Sequence, residues 1–300
     1  MTGGPTVADM KITVLDTYTA MREILCAPEE ERAALLKEMW RPVEGMHRYF
    51  PGPVDLVAMH AASSGFPLDR DTDACLEAVE RLRAADAWGR IEGALRNAAD
   101  LLTDALRRVD LPEVTVFVVV GDPGDRIYLD EALGLTANGS VTGYLYLNVW
   151  PSPENLDRLE AIAVHEFDHN VRYAPGGVVW DPATVTVGEQ IVSEGLADAL
   201  ARELYGDRLG PARIGEPHRH DEELFARVTA NLGVTGMQNF ASWVLGDAIA
   251  GRFGAPPIGV PTGAGYAVGN RLVDDYLAAT GLTASRAVHA DAHEIIATAS

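Results

Sequence analysis

The segment His165-Glu166-Phe167-Asp168-His169 has the spacing H-E-x-x-H, and its residue types and order specify a reaction. On an α-helix, residues four apart share a face, so both imidazoles can present a ring nitrogen to one cation. Zinc takes imidazole nitrogen at about 2.0–2.1 Å, in a tetrahedral site that leaves one position for water. Glu166 would stand beside that water, where a carboxylate can take its proton. The expected chemistry is hydrolysis at a metal centre.

Such a site needs a third protein ligand, and two carboxylates qualify. Helical patterning runs from Val187 to Leu204 and stops at Gly206, a residue suited to a helix C-terminus. Glu189 and Glu194 both lie in this stretch. Five residues of helix rotate by about 140°, so the two cannot face one metal together. Glu194 opens Glu194-Gly-Leu-Ala-Asp198, which places Asp198 one turn along the same face. There Asp198 can accept the spare ring N–H of a ligating histidine and fix its tautomer. Glu194 is therefore the preferred ligand and Glu189 is read as a solvated helix residue. His₂Glu ligation points to zinc, although other divalent ions share that donor set.

These residues also carry a family resemblance. His165-Glu-Phe-Asp-His-Asn-Val-Arg172 and Ile191-Val-Ser-Glu-Gly-Leu-Ala-Asp198 resemble the DUF2268 family of predicted zinc-dependent proteases, gluzincin-type metallopeptidases. Gly265-Tyr-Ala-Val-Gly-Asn-Arg-Leu-Val-Asp-Asp-Tyr276 resembles that family's closing segment. The resemblance extends from about Met10 onward. It implies a zincin-like core, zinc on His165, His169 and Glu194, and Glu166 as catalytic base. The His169–Glu194 separation is longer than in thermolysin-like enzymes, so residues 173–187 are expected to shape a distinct cleft wall.

Attack of water on a peptide carbonyl creates an oxyanion, which a well-placed donor stabilises. Tyr266, in the Gly265–Gly269 stretch, is the nominated donor, with a packed aromatic as the alternative. His218 and His220 are rivals, more simply read as a hydrated polar loop. Asn170 and Arg172 are candidates for orienting groups around the metal helix.

Positioning falls to the flanking elements. Glu113-Val-Thr-Val-Phe-Val-Val-Val120 reads as a buried strand stopped by Gly121-Asp-Pro-Gly124. A second strand, 143–149, ends at Pro151-Ser-Pro153, after which Ser152 or Asn155 is positioned to cap the metal helix. This strand is expected to form one cleft wall, where an extended peptide could pair. Residues 10–110 read as mostly helical, with amphipathic stretches at 28–40 and 73–108 whose charges form a solvated face. Residues 111–206 hold the site, and 207–300 return to helix around a Gly/Pro loop at 254–265. Residues 1–9 read as a flexible N-terminus. The whole is α+β and mostly helical, with a small sheet beside the H-E-x-x-H helix, as three regions or one compact domain.

Composition limits the partners. A net charge of −20 disfavours nucleic acid and anionic membranes, and no apolar run approaches a membrane span. The first nine residues lack a signal-peptide pattern, and two separated cysteines fit a reducing compartment, so the cytoplasm is expected. A peptide or protein is the expected substrate; a non-peptide amide or ester, or non-catalytic zinc binding, are the alternatives. Oligomeric state is not legible.

Overall fold

The computed structural model describes residues 10–50, 52–106, 111–210 and 212–299. The N-terminal segment 1–9 expected to be flexible lies outside them. The chain begins with β1 (Ile12–Val14), α1 (Thr17–Cys26), α2 (Glu29–Trp40), α3 (Leu56–Ala62), α4 (Thr72–Ala84) and α5 (Ala87–Leu106). Then come β2 (Val114–Val120), β3 (Leu135–Asn138), β4 (Tyr144–Val149), α6 (Pro153–Leu156), α7 (Leu159–Arg172) and α8 (Val187–Tyr205). The remainder is α9 (Glu222–Thr229), α10 (Asp247–Ala250), α11 (Ala264–Thr280), α12 (Ala284–Ala287) and α13 (Ala292–Thr298). The fold is α+β and 59% helical, with one four-stranded mixed sheet.

The strand order is β1-β2-β4-β3. β1 and β2 are parallel, as are β2 and β4, while β3 runs antiparallel to β4. β2 is Val114-Thr-Val-Phe-Val-Val-Val120, buried at all but one position, as expected of a central strand whose β-branched residues pack on both faces. β4 is central as well. It pairs with β2 on one side and with β3 on the other, so its backbone cannot accept a peptide. The peptide pairing expected at this strand is therefore corrected: the unpaired edge beside it belongs to β3, four residues too short to give a clear alternation.

The start of the metal helix also differs from expectation. Ser152 Oγ accepts the Asn155 amide, but the helix it caps is the single turn α6. The chain then re-enters helix at α7 without a side-chain cap. Asn155 is buried, and its amide ties down the carbonyls of Leu133, Gly134 and Trp150. From Leu159 onward, α7 is buried nearly all round, the pattern of a helix built into a core rather than laid on one. It packs against α5, α8 and β4. At the α5 face Arg90 leaves the solvated surface expected for its segment and forms a bidentate pair with Glu160, both contacts at 2.6 Å.

α8 is buried over most of its length, between α7 and α11. The α8–α11 crossing is close because it is made of glycine. A Cβ on Gly195 would lie 2.2 Å from the Gly269 carbonyl oxygen, and one on Gly269 would lie 2.2 Å from that of Ile191. Nothing larger than hydrogen fits there. One apolar cluster runs from Met21 through Val118 and Phe167 to Ile295, so all three regions drawn from the sequence contribute to a common core. No helix of the described residues is long and apolar enough to cross a membrane.

Candidate metal centre

His165, Glu166 and His169 come from α7; Ser193, Glu194 and Asp198 come from α8. All are buried, with His165, His169 and Glu194 only 3–5% exposed. The rings of His165 and His169 stand nearly perpendicular, at 84°, with centroids 4.9 Å apart. His165 Nε2 lies 3.0 Å from Glu194 Oε2 and 3.2 Å from His169 Nε2, and the third separation, His169 Nε2 to Glu194 Oε2, is 3.5 Å. Ligand atoms about 2.05 Å from one ion at the tetrahedral angle lie about 3.3 Å apart. The donor triangle therefore has the dimensions of three corners of a zinc tetrahedron. Among the described residues this is the one cluster of three or more His, Cys, Asp or Glu with converging ligand atoms.

The other ring nitrogens are accounted for. His165 Nδ1–H donates to Asp198 Oδ1 at 2.8 Å, and His169 Nδ1–H donates to Ser193 Oγ at 2.8 Å. The Asp198 carboxylate, which can only accept, fixes the His165 tautomer that leaves its Nε2 lone pair directed at the shared point, and Ser193, accepting from His169, supports the same arrangement there. Asp198 is itself held: its Oδ2 accepts the Ala212 amide at 2.9 Å and Asn270 Nδ2 at 2.6 Å. Ser193 and Asn270 were not singled out in the sequence. Ser193 adjoins Glu194, and Asn270 lies one helical turn after Tyr266, so both were within reach of the periodicity that found their neighbours.

The electrostatics of the cluster favour positive charge. Burial works against charge on His165, but hydrogen bonds to Asp198 and Glu194 outweigh it and raise the imidazole well above its usual range. His169 is also raised, burial being overcome by the Glu194 charge. Burial alone would raise Glu194, yet the two histidines bring it down to about 2. A divalent cation satisfies the same anions that otherwise hold protons on the rings, so the donor set fits the zinc that its spacing predicts.

Glu166 is buried, and burial raises its carboxyl despite the neighbouring histidines. The Gly139 amide, from the loop that follows β3, works the other way and favours the carboxylate. A Cβ on Gly139 would fall 1.9 Å from the Glu166 carbonyl oxygen, so glycine alone lets this loop touch the helix. Asn170 fastens the loop: its Nδ2 donates to the carbonyls of Gly139 (2.6 Å) and Tyr144 (2.8 Å), and its Oδ1 accepts the Gly143 amide (2.7 Å). The remaining acid of the motif, Asp168, is fully buried with no hydrogen-bond partner among the described residues, and burial pushes its carboxyl up to about 6.

Tyr266, on the first turn of α11, lies with its ring centroid 6.3 Å from that of His165 and close enough to Glu194 to feel its charge. Burial, then the charges of Glu194, Glu166 and Asp198, raise its hydroxyl well above the usual tyrosine range, which keeps it a donor. His218 and His220 do not join the cluster; they lie on a turn around Glu216–His218, half-buried and exposed. Glu189 is not the solvated residue expected. It forms a bidentate pair with the buried Arg172 at 2.8 and 2.7 Å and accepts the Tyr173 hydroxyl. Arg172 also donates to the carbonyls of Val288 and Ala290, tying the C-terminal segment to the end of α7.

Comparison with known proteins agrees with this geometry. An uncharacterized protein of Bacillus subtilis (strain 168), YjfC, is 29% identical over 296 residues, covering 96% of this chain and 97% of the relative. No solved structure matches. The family described as "Predicted Zn-dependent protease (DUF2268)" matches residues 95–297, more than half of the chain, and both helices of the donor cluster fall within that span. The chain belongs to the DUF2268 family of predicted Zn-dependent proteases.

Proposed function

We propose that the protein is a zinc metallopeptidase, with His165, His169 and Glu194 as ligands, Glu166 as general base, Asp198 as the group that orients His165, and Tyr266 as an additional donor. The observation that carries this reading is the donor triangle of 3.0, 3.2 and 3.5 Å, with both Nδ1 atoms already committed elsewhere. Bound there, zinc supplies a Lewis acid that brings the pKa of a coordinated water to about 7 and polarises a carbonyl. Glu166, one residue from a ligand, takes the proton from the attacking water and delivers it to the leaving amine. Tyr266, protonated and beside Glu194, donates toward the developing oxyanion.

The sheet favours a peptide over a small amide. Among the described residues β3 pairs with β4 alone, leaving its other edge unpaired for an extended chain, and the loop that follows it touches the Glu166 backbone. Cytoplasmic placement is part of the same reading, supported by two cysteines that are both free. The test begins with elemental analysis of the purified, unsupplemented protein. About one zinc per chain is expected, and Glu166→Gln should keep that metal while losing turnover by about 10²–10⁴-fold, the worth of a general base. No metal after zinc is restored and excess dialysed away, or full turnover in Glu166→Gln, overturns the assignment.

A further inference from the structure

A cleft of about 420 Å³ lies at the C-terminal end of α7, between the loop after β3 and residues 173–180. Its position follows from the chain. Gly139 touches Glu166, and Ser140 and Thr142 continue into the cleft wall. The opposite wall starts at Tyr173, whose amide donates to the His169 carbonyl, and Thr142 Oγ1 bridges the walls by donating to the Tyr173 carbonyl. One helical turn, about 6 Å, separates His169 from Tyr173. That is the length of about two residues of extended peptide.

The lining is aromatic, with one charge. The Tyr49 and Trp180 rings lie 5.1 Å apart at 59°, and those of Tyr173 and Trp180 lie 6.4 Å apart. Arg48 is the single ionised side chain among the lining residues. It donates to the Thr142 carbonyl at 3.1 Å and stacks over the Tyr49 ring at 5.2 Å, which orients its guanidinium without neutralising it. In a chain with 44 acidic and 24 basic residues, Arg48 has no carboxylate partner among the described residues. Arg70, Arg90, Arg172, Arg202 and Arg252 each hold one, whereas Arg32, Arg158, Arg213 and Arg227, like Arg48, donate to backbone carbonyls; Arg48 differs from these four in lining the cleft.

The geometry points to this cleft as the subsite where Arg48 anchors a carboxylate of the substrate, its apolar stem lying against Tyr49 and Trp180. The inference rests on the peptidase reading and adds the substrate chemistry to it. A free chain terminus and an acidic side chain both offer that chemistry.

The test is equilibrium binding to the full chain held in chelator, so that nothing is cleaved. Three acetylated tripeptides are compared: Gly-Ala-Leu with a free carboxylate, the same peptide as its C-terminal amide, and Gly-Ala-Glu as its amide. Binding is read by calorimetry and by the tryptophan fluorescence that Trp180→Phe removes. At least one carboxylate peptide should bind about tenfold or more tighter than the leucine amide, and Arg48→Gln should abolish that preference. Arg48 is exposed, so the substitution leaves the core intact. Preference for the free acid alone identifies the chain terminus, preference for the glutamate amide alone the side chain, and both together a site for either. Equal binding of all three, or a preference that survives in Arg48→Gln, overturns the proposal. Because no turnover is involved, these outcomes stand apart from the success or failure of the peptidase assignment.

Discussion

Asp198→Asn tests the outer part of the site most sharply, because the replacement keeps shape and turns one acceptor into a donor. Asp198 serves three N–H groups: His165 Nδ1–H on Oδ1, and Ala212 and Asn270 together on Oδ2. If the new NH₂ faces Ala212 and Asn270, two buried donors lose their acceptor, at about 1–3 kcal/mol each. If it faces His165, the imidazole avoids that cost by carrying its proton on Nε2 and accepting at Nδ1. The second arrangement is cheaper, and it removes the lone pair that a metal requires. Zinc affinity should therefore fall by about 10–100-fold, equivalent to about 1.4–2.7 kcal/mol. Chelator competition measures the affinity, and nitrogen-15 spectra of the imidazole report which nitrogen is protonated. A zinc affinity within about threefold of wild type, or a His165 that keeps its proton on Nδ1, refutes the reasoning.

Gly269→Ala drives a methyl group into the Ile191 carbonyl, so α8 and α11 must part; urea unfolding should show a loss of about 1–3 kcal/mol. Gly93→Ala in α5, where the added methyl meets nothing within 4 Å, should instead stabilise by about 0.5–1 kcal/mol, and equal losses at both positions would discredit the close-contact argument. His60 gives a pH dependence. It accepts from Trp40 Nε1 and donates Nε2–H to the Phe66 carbonyl, and burial brings its pKa from 6.5 down to about 4. Above pH 6.5 it is neutral folded or unfolded and contributes no slope. Between pH 6.5 and 4 only the unfolded chain takes up the proton, so stability falls, by about 3 kcal/mol in full. His60→Gln should flatten the wild-type slope in that window, and superimposable slopes would remove His60 as its cause.

What the sequence made legible was local. H-E-x-x-H and E-x-x-x-D are spacings within single helices, and α7 and α8 carry those residues to one point. β2 was readable because seven residues of β-branched and aromatic type sit together. Position within the sheet was not readable. Leu145, Leu147 and Val149 look alike in an edge strand and a central one, and only the pairing on both sides shows β4 to be internal. Ser152 carries a sound capping signal, yet nothing local reveals that the helix it starts ends after one turn. Glu189 looked solvated because its partner, Arg172, lies 17 residues away on another helix. The position of Asn270 was within reach of the helical spacing from Tyr266, but its role was not, because the Asp198 it supports lies 72 residues away.

The Arg172–Glu189 pair has a mechanical consequence. α7 and α8 are joined around the donor cluster, where His165 bonds Asp198 and His169 bonds Ser193, and again one turn further along by a buried bidentate pair that uses none of the proposed ligands. The proposed ion would be exchangeable whereas the hydrogen bonds and the ion pair are permanent, so the permanent contacts would keep the helices in register while the ion comes and goes. Metal occupancy then changes how tightly the joint is drawn rather than whether it exists. Amide hydrogens of α7 and α8 should exchange more slowly as zinc is added, with the chain's overall shape unchanged, making the interface a clasp whose grip follows the supply of the ion.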